Sequence, residues 1–257
     1  MVEMVLEVSH LRVERGGRAV VDDVSFALAA ETDTALVGPN GAGKSSLVQA
    51  LLGVLPHAAG EVRLLGQRLG PGGQLPPAVR DRIAYLPQGF SLPGPIPLTV
   101  AEFVGLGWDP AGPRLSWSGG SARRGAVAQA LRRTDCTDRS EHLLSELSGG
   151  ELKRVLLAFC LVRPRRLLLL DEAQAGLDPL AAEHVHQLLY QLRRSEGWTV
   201  LQVSHDLEMV RRTCDGVLCL NRSLRCTGSP DHALAPTQLA RLYGSGWVSY
   251  HHRHASR

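Results

Sequence analysis

Apolar and polar positions change their spacing several times along the chain, and each change marks an element. Val5, Leu6, Val8, Leu11 and Val13 stand among polar neighbours, the chain turns at Gly16–Gly17, and a second run covers Ala19–Leu28. That pattern predicts an antiparallel β pair. A short apolar strand, Ala35–Val37, then breaks into a glycine-rich turn and a helical pattern from about Lys44 to Leu52. Strands are expected at Glu61–Leu65 and Ile83–Leu86, separated by a Pro/Gly-rich loop around Gly70–Pro77.

The character changes between Gly89 and Pro164. Pro93, Pro95 and Pro97 make an irregular segment, followed by predicted helices near Val100–Leu106, Ala126–Arg133 and Gly150–Leu161. The last is the clearest, because Leu152, Val155, Leu156 and Phe159 form one apolar face. Alternation of strand and helix then resumes: strand Leu167–Leu170, helix Pro179–Arg194, strand Thr199–Val203, helix Leu207–Thr213, strand Val217–Leu220. Leu167–Leu170 and Thr199–Val203 are apolar on both faces, as in a parallel sheet covered by helices. Asp178 before Pro179 reads as an N-cap followed by a good first helical residue. The expected fold class is α/β, with an antiparallel β part and a helical subdomain inserted at about 89–163. Residues 1–243 form one domain in this reading, and 244–257 form a loosely ordered tail carrying His251, His252 and His254.

Composition narrows the class. At 257 residues, 44% hydrophobic and 21% charged, the chain can bury a core unaided, which excludes a disordered or fibrous protein. Its apolar runs fall far short of the ~20 residues that cross a bilayer. The opening MVEMVLEVSH lacks the basic start, apolar centre and cleavage site of a secretory signal, which points to the cytoplasm. The 5 cysteines (Cys136, Cys160, Cys214, Cys219, Cys226) are odd in number and form no CxxC pair. They argue against a disulfide framework and a structural zinc site. A formal charge of +3 gives little support to nucleic-acid binding. Lys44 and Lys153 are the only lysines, so their positions are informative.

Three segments carry chemistry. Gly38-Pro39-Asn40-Gly41-Ala42-Gly43-Lys44-Ser45 fits GxxxxGK(S/T) between a predicted strand and a predicted helix. Its backbone N–H groups can cradle phosphates, Lys44 can reach the β and γ phosphates, and Ser45 can ligate Mg2+. The strand Leu167–Leu170 ends in Asp171 and Glu172. Beside a P-loop, Asp171 belongs on the Mg2+ and Glu172 can polarise the attacking water. Leu147-Ser148-Gly149-Gly150-Glu151 opens the clearest helix and forms a second anion-binding nest. Taken singly, each has a plainer reading as a capped helix start, a turn or a solvated strand end.

Together these segments closely resemble ATP-binding cassette proteins. Tyr85-Leu86-Pro87-Gln88 matches the family's glutamine loop, Gly176-Leu177-Asp178 the loop after the acidic pair, and Val203-Ser204-His205-Asp206 its switch histidine. The resemblance covers nearly the whole chain and implies a P-loop core of RecA-like type and a homodimer that sandwiches ATP. It places Gly38 to Ser46, Arg15 and Asp178 on nucleotide, and Ser148, Gly149 and Gly150 on the ATP held by the partner's P-loop. Ser45, Gln88 and Asp171 would hold Mg2+, with Glu172, His205 and Gln88 in catalysis. Arg15 stands where most relatives have an aromatic over adenine, and a planar guanidinium can serve there. Glu151 ends the signature where glutamine is more usual, and Ala173-Gln174-Ala175 replaces a more constrained turn.

Leu147–Leu157 (LSGGELKRVLL), Pro97–Val100, Val217–Asn221 and Cys226–Pro230 are similar to ATPase subunits of bacterial zinc and manganese importers, the zinc branch in particular. This implies an ATPase at the cytoplasmic face of the inner membrane, working with permease subunits and an extracytoplasmic metal-binding protein. A manganese or iron-chelate importer is the alternative within transport. A soluble non-transport cassette ATPase would bring a long coiled coil or a second cassette, and neither is present. The tail histidines read as a flexible polar end rather than an essential zinc site. His184 and His186 point in different directions on a helix and are not expected to be joint ligands.

Overall fold

The computed structural model of the chain describes residues 2–70, 73–90, 97–108, 120–174 and 176–244. The elements run β1 (Met4–Arg15), β2 (Arg18–Ala29), β3 (Asp33–Val37), α1 (Lys44–Leu51), β4 (Ala59–Leu64), β5 (Gln67–Arg68), α2 (Pro77–Arg80) and β6 (Ile83–Leu86). After these come α3 (Val100–Leu106), α4 (Gly120–Arg133), α5 (Gly149–Leu161), β7 (Leu167–Asp171), α6 (Pro179–Glu196) and β8 (Thr199–Val203). The chain continues through α7 (Leu207–Thr213), β9 (Gly216–Asn221), β10 (Ser223–Gly228), α8 (Pro230–Ala233) and α9 (Pro236–Tyr243). Two sheets result. One is antiparallel in the order β2-β1-β4-β5, and the other runs β10-β9-β3-β8-β7-β6, parallel except for the β10 edge.

The block strands sit where their composition requires. β3, β7 and β8 are buried at every position. Because side chains alternate along a strand, β7 feeds two cores. Leu168 and Leu170 pack with α5 and α6, while Leu167 and Leu169 pack with α1 and the antiparallel sheet. Two sequence features close the helices that matter most. Asp178 caps α6 by accepting from the Ala181 N–H at 2.9 Å, and Ser148 caps α5.

The predicted elements recur with small shifts. α4 begins six positions before the expected Ala126, and β7 extends into Asp171. The reading without disulfides is corrected at one pair. Cys219 and Cys226 are register partners in the β9–β10 hairpin, with Cα atoms 5.0 Å apart, and their sulfurs are bonded. Spacing alone hid this, because the turn at Arg222 is what brings them face to face. Cys136, Cys160 and Cys214 are free and buried. His184 pairs with Asp135 and His186 meets Gln174, so the two do not converge. Among the described residues, no helix is long and apolar enough to cross a membrane and no cluster is built to hold a metal from His, Cys, Asp and Glu alone. The histidine tail beyond Gly244 and the Ser91–Ile96 stretch lie outside the described residues.

Candidate functional site

The site forms where β3 stops. After Val37 the chain must turn tightly against β9 and β2, and two glycines are required for it. A Cβ on Gly38 (φ 154) would lie 2.0 Å from the Leu220 carbonyl oxygen, and one on Gly43 (φ 96) 2.3 Å from the Val20 carbonyl oxygen. The β9–β10 turn backs the loop through the Arg222 N–H, which donates to the Ala42 carbonyl at 2.9 Å. Tyr243, at the end of α9, is hydrogen bonded to the Gly38 backbone.

Lys44 folds back over this loop. It is 6% exposed, and its ammonium donates to the carbonyls of Gly38 at 2.8 Å and Pro39 at 3.0 Å. Burial lowers its pKa, while Glu172 and Asp171 oppose the shift. Asp171 is 2% exposed at the end of β7, and burial raises its pKa against the hydrogen bond from Ser45. Its Oδ1 is buried without a hydrogen-bond partner. A buried, unsatisfied carboxylate oxygen beside a serine hydroxyl is an oxygen donor set suited to Mg2+.

Glu172 follows in a left-handed conformation, φ 51. Its carboxylate accepts from the Gln88 amide and from His205 Nε2, each at 2.7 Å. Its backbone is held twice: the Glu172 N–H donates to Val203 O at 3.3 Å, and Lys153 Nζ donates to the Glu172 carbonyl at 3.4 Å. Arg15 Nη2 donates to Gln49 Oε1 at 2.5 Å. Arg15, Val20, the run Asn40 to Ser46, Gln88, Glu172 and His205 line one open cavity of about 670 Å³.

The sequence-predicted residues therefore split into two groups. Arg15, the P-loop, Gln88, Glu172 and His205 converge, with Asp171 behind Ser45. Ser148, Gly149, Gly150 and Asp178 are not among the lining residues of that cavity. Ser148 and Gly149 are exposed, and a Cβ on Gly150 would meet only the Leu177 side chain, at 3.8 Å. Ser148 and Glu151 form a reciprocal cap: the Ser148 N–H donates to Glu151 Oε2 at 2.9 Å and its hydroxyl to the same oxygen at 2.7 Å. The Glu151 N–H returns to Ser148 Oγ at 3.4 Å. Arg139 Nε donates to the other oxygen, Oε1, at 2.7 Å. Sequence reasoning missed Lys153, Arg139 and Val20. The scarcity of lysine was the one usable signal for Lys153, and nothing in the spacing marked the other two.

A family model described as "ABC transporter" matches residues 21–175. The zinc import ATP-binding protein ZnuC of Cereibacter sphaeroides is 38% identical over 240 residues, covering 92% of this chain and 87% of that protein. The protein of the same name from Magnetococcus marinus is 34% identical over 258 residues, covering 99% and 90%. The solved structure of cbiO1 from Clostridium perfringens, part of the ABC transporter complex cbiONQ, matches with a TM-score of 0.75 and 26% identity, covering 93% of this chain and 94% of that one.

Proposed function

The chain belongs to the ABC transporter family as one of its ATP-binding subunits, and from that premise we propose that it hydrolyses ATP to power uptake of Zn2+ through a separate membrane permease. The observation that carries the catalytic reading is the convergence of Lys44, Glu172, Gln88 and His205 on one cavity, with Asp171 directly beneath. The zinc reading is supported by the relatives named for zinc import, which match over most of both chains. Zn2+ is cargo handled by the permease and an extracytoplasmic binding protein, and it need not touch this chain. The subunit itself sits peripherally on the cytoplasmic side of the membrane.

In this mechanism the main-chain N–H groups of Asn40 to Lys44 receive phosphate oxygens, and Lys44 exchanges the Gly38 and Pro39 carbonyls for them. Ser45, Asp171 and Gln88 would hold Mg2+, which when bound supplies neutralisation of phosphate charge. Glu172 accepts the proton of the attacking water. Both its oxygens are engaged here, by Gln88 and by His205, so water enters by displacing one of these groups. Arg15, which lines the same cavity, would carry the base on its guanidinium plane. Ser148, Gly149, Gly150 and Asp178 act on the nucleotide of a second copy, which makes the working unit a homodimer. Residues 1–243 are the nucleotide-binding domain, with 89–163 its helical insertion and 244–257 a tail.

The purified chain tests the site. It should hydrolyse ATP only with Mg2+, and Lys44→Ala should weaken ATP binding by roughly tenfold or more, as loss of a charged contact does. Unchanged affinity in Lys44→Ala would mean that the phosphates lie elsewhere.

A further inference from the structure

Glu151 puts a carboxylate three residues into α5, at the end of the helix proposed to meet the terminal phosphate of a second copy's nucleotide. Two hydrogen bonds from Ser148 and one from Arg139 hold it well below the usual carboxylate range, at about 2, so it is charged at neutral pH. For the helix alone this is favourable, since an acid in the first turn complements the dipole. For an arriving polyphosphate it is not, because like charges in a closing interface oppose association. The Ser148 N–H and hydroxyl are both committed to Glu151 Oε2, which leaves the main-chain N–H groups of Gly149 and Gly150 to meet the anion.

Arg139 resolves the conflict from outside the signature segment. It ends the 3-10 turn Thr137–Arg139 that follows α4, and this stretch is pinned to α3 by the Ala101 N–H on Ser140 O and the Val100 N–H on His142 O. Its guanidinium reaches Glu151 Oε1 at 2.7 Å, with side chains only 38% and 20% exposed, and its other acidic neighbour, Asp138, is at 3.6 Å. We infer that Arg139 is a positioning residue for ATP-driven pairing: it cancels the charge of Glu151 and fixes that carboxylate's plane, so that the Gly149 and Gly150 N–H groups can meet the phosphate of a second copy's ATP. The inference rests on the two-copy reading above and concerns a residue outside the P-loop, the acidic pair and the signature itself.

The test is ATP-driven association of the full chain, followed by analytical ultracentrifugation in a Glu172→Gln background that halts turnover. Adding Arg139→Gln should raise the dimer dissociation constant about tenfold at low salt, and the deficit should shrink as salt screens the exposed carboxylate. Adding Glu151→Gln as well removes the charge while keeping a capping side chain, and should restore association to within about twofold of the parent. Melting temperatures close to the parent's accompany this result. An Arg139→Gln variant that pairs normally overturns the inference. So does a double variant as weak as Arg139→Gln alone, because Arg139 would then act by some route other than Glu151. A parent that fails to associate with ATP strikes instead at the two-copy reading, and the inference falls with it.

Discussion

Glu172 is held where a non-glycine residue is seldom found, at φ 51, a conformation that costs on the order of 1–3 kcal/mol. The Lys153 ammonium on its carbonyl and the Val203 carbonyl on its N–H offset that cost. The result aims the carboxylate at Gln88 and His205. Glu172→Gln keeps the shape and removes the basic oxygen, so ATP affinity should stay within a fewfold of wild type while turnover falls at least about 100-fold. Turnover at the wild-type rate would remove Glu172 from the chemistry. A second residue predicts a pH effect away from the site. Asp33 is 3% exposed at the start of β3, and burial pushes its carboxyl up to about 6, opposed by Gln202 and Arg193 and reinforced by Asp215. The folded chain therefore holds this proton more tightly than the unfolded chain does. Stability falls as pH rises from about 4 to about 6 and stays lower above, by on the order of 3 kcal/mol. Asp33→Asn retains an acceptor for the Gln202 amide, 2.7 Å away. It should flatten that slope in denaturation midpoints measured from pH 4 to pH 8, and a slope unchanged from wild type would show that another group causes it.

Among the elements, legibility followed the strength of the local signal. The block strands β3, β7 and β8 and the capped helices α3, α5 and α6 were readable, most of them because one strong feature fixed each. For β7 and β8 that feature was an apolar run on both faces, for α5 the apolar face of Leu152, Val155, Leu156 and Phe159, and for α6 the Asp178 cap, while the Thr99 and Ser148 caps emerged only with the structure. β5, β10, α8 and α9 were not readable. β5 has two residues, β10 is a half-exposed edge, and α8 and α9 are short helices whose places come from packing on β9 and β10. The P-loop was legible as letters, whereas its backing by Arg222 and Tyr243 depended on those unread elements. So did the Cys219–Cys226 bond, which follows from hairpin register. The block-strand reading has a direct consequence for stability. Leu169 is fully buried between α1 and the sheet, so Leu169→Ala should cost about 2–5 kcal/mol in urea unfolding at an unchanged m-value. Leu180→Ala, at a position 82% exposed, should change stability by less than about 0.5 kcal/mol.

For the whole molecule, two sheets meet around one cavity, and each supplies what the other lacks. The antiparallel sheet brings Arg15 and Val20, the parallel sheet brings the P-loop, Glu172 and His205 with Asp171 buried behind Ser45, and the chain after β6 brings Gln88. Among the described residues, the exposed start of α5 does not line this cavity, and the proposed homodimer gives it a nucleotide on a second copy. Candidate site residues were legible because their order along the chain matched a known family. Their convergence was not legible, since Gln88 and Glu172 are 84 residues apart and joined only by the fold. The most direct measurement is metal content, with zinc, manganese and iron assayed together, in cells lacking this chain and complemented with wild type or Glu172→Gln. The expected result is a zinc deficit that wild type restores and Glu172→Gln does not. Zinc restored equally by Glu172→Gln, or a deficit confined to manganese or iron, would contradict it.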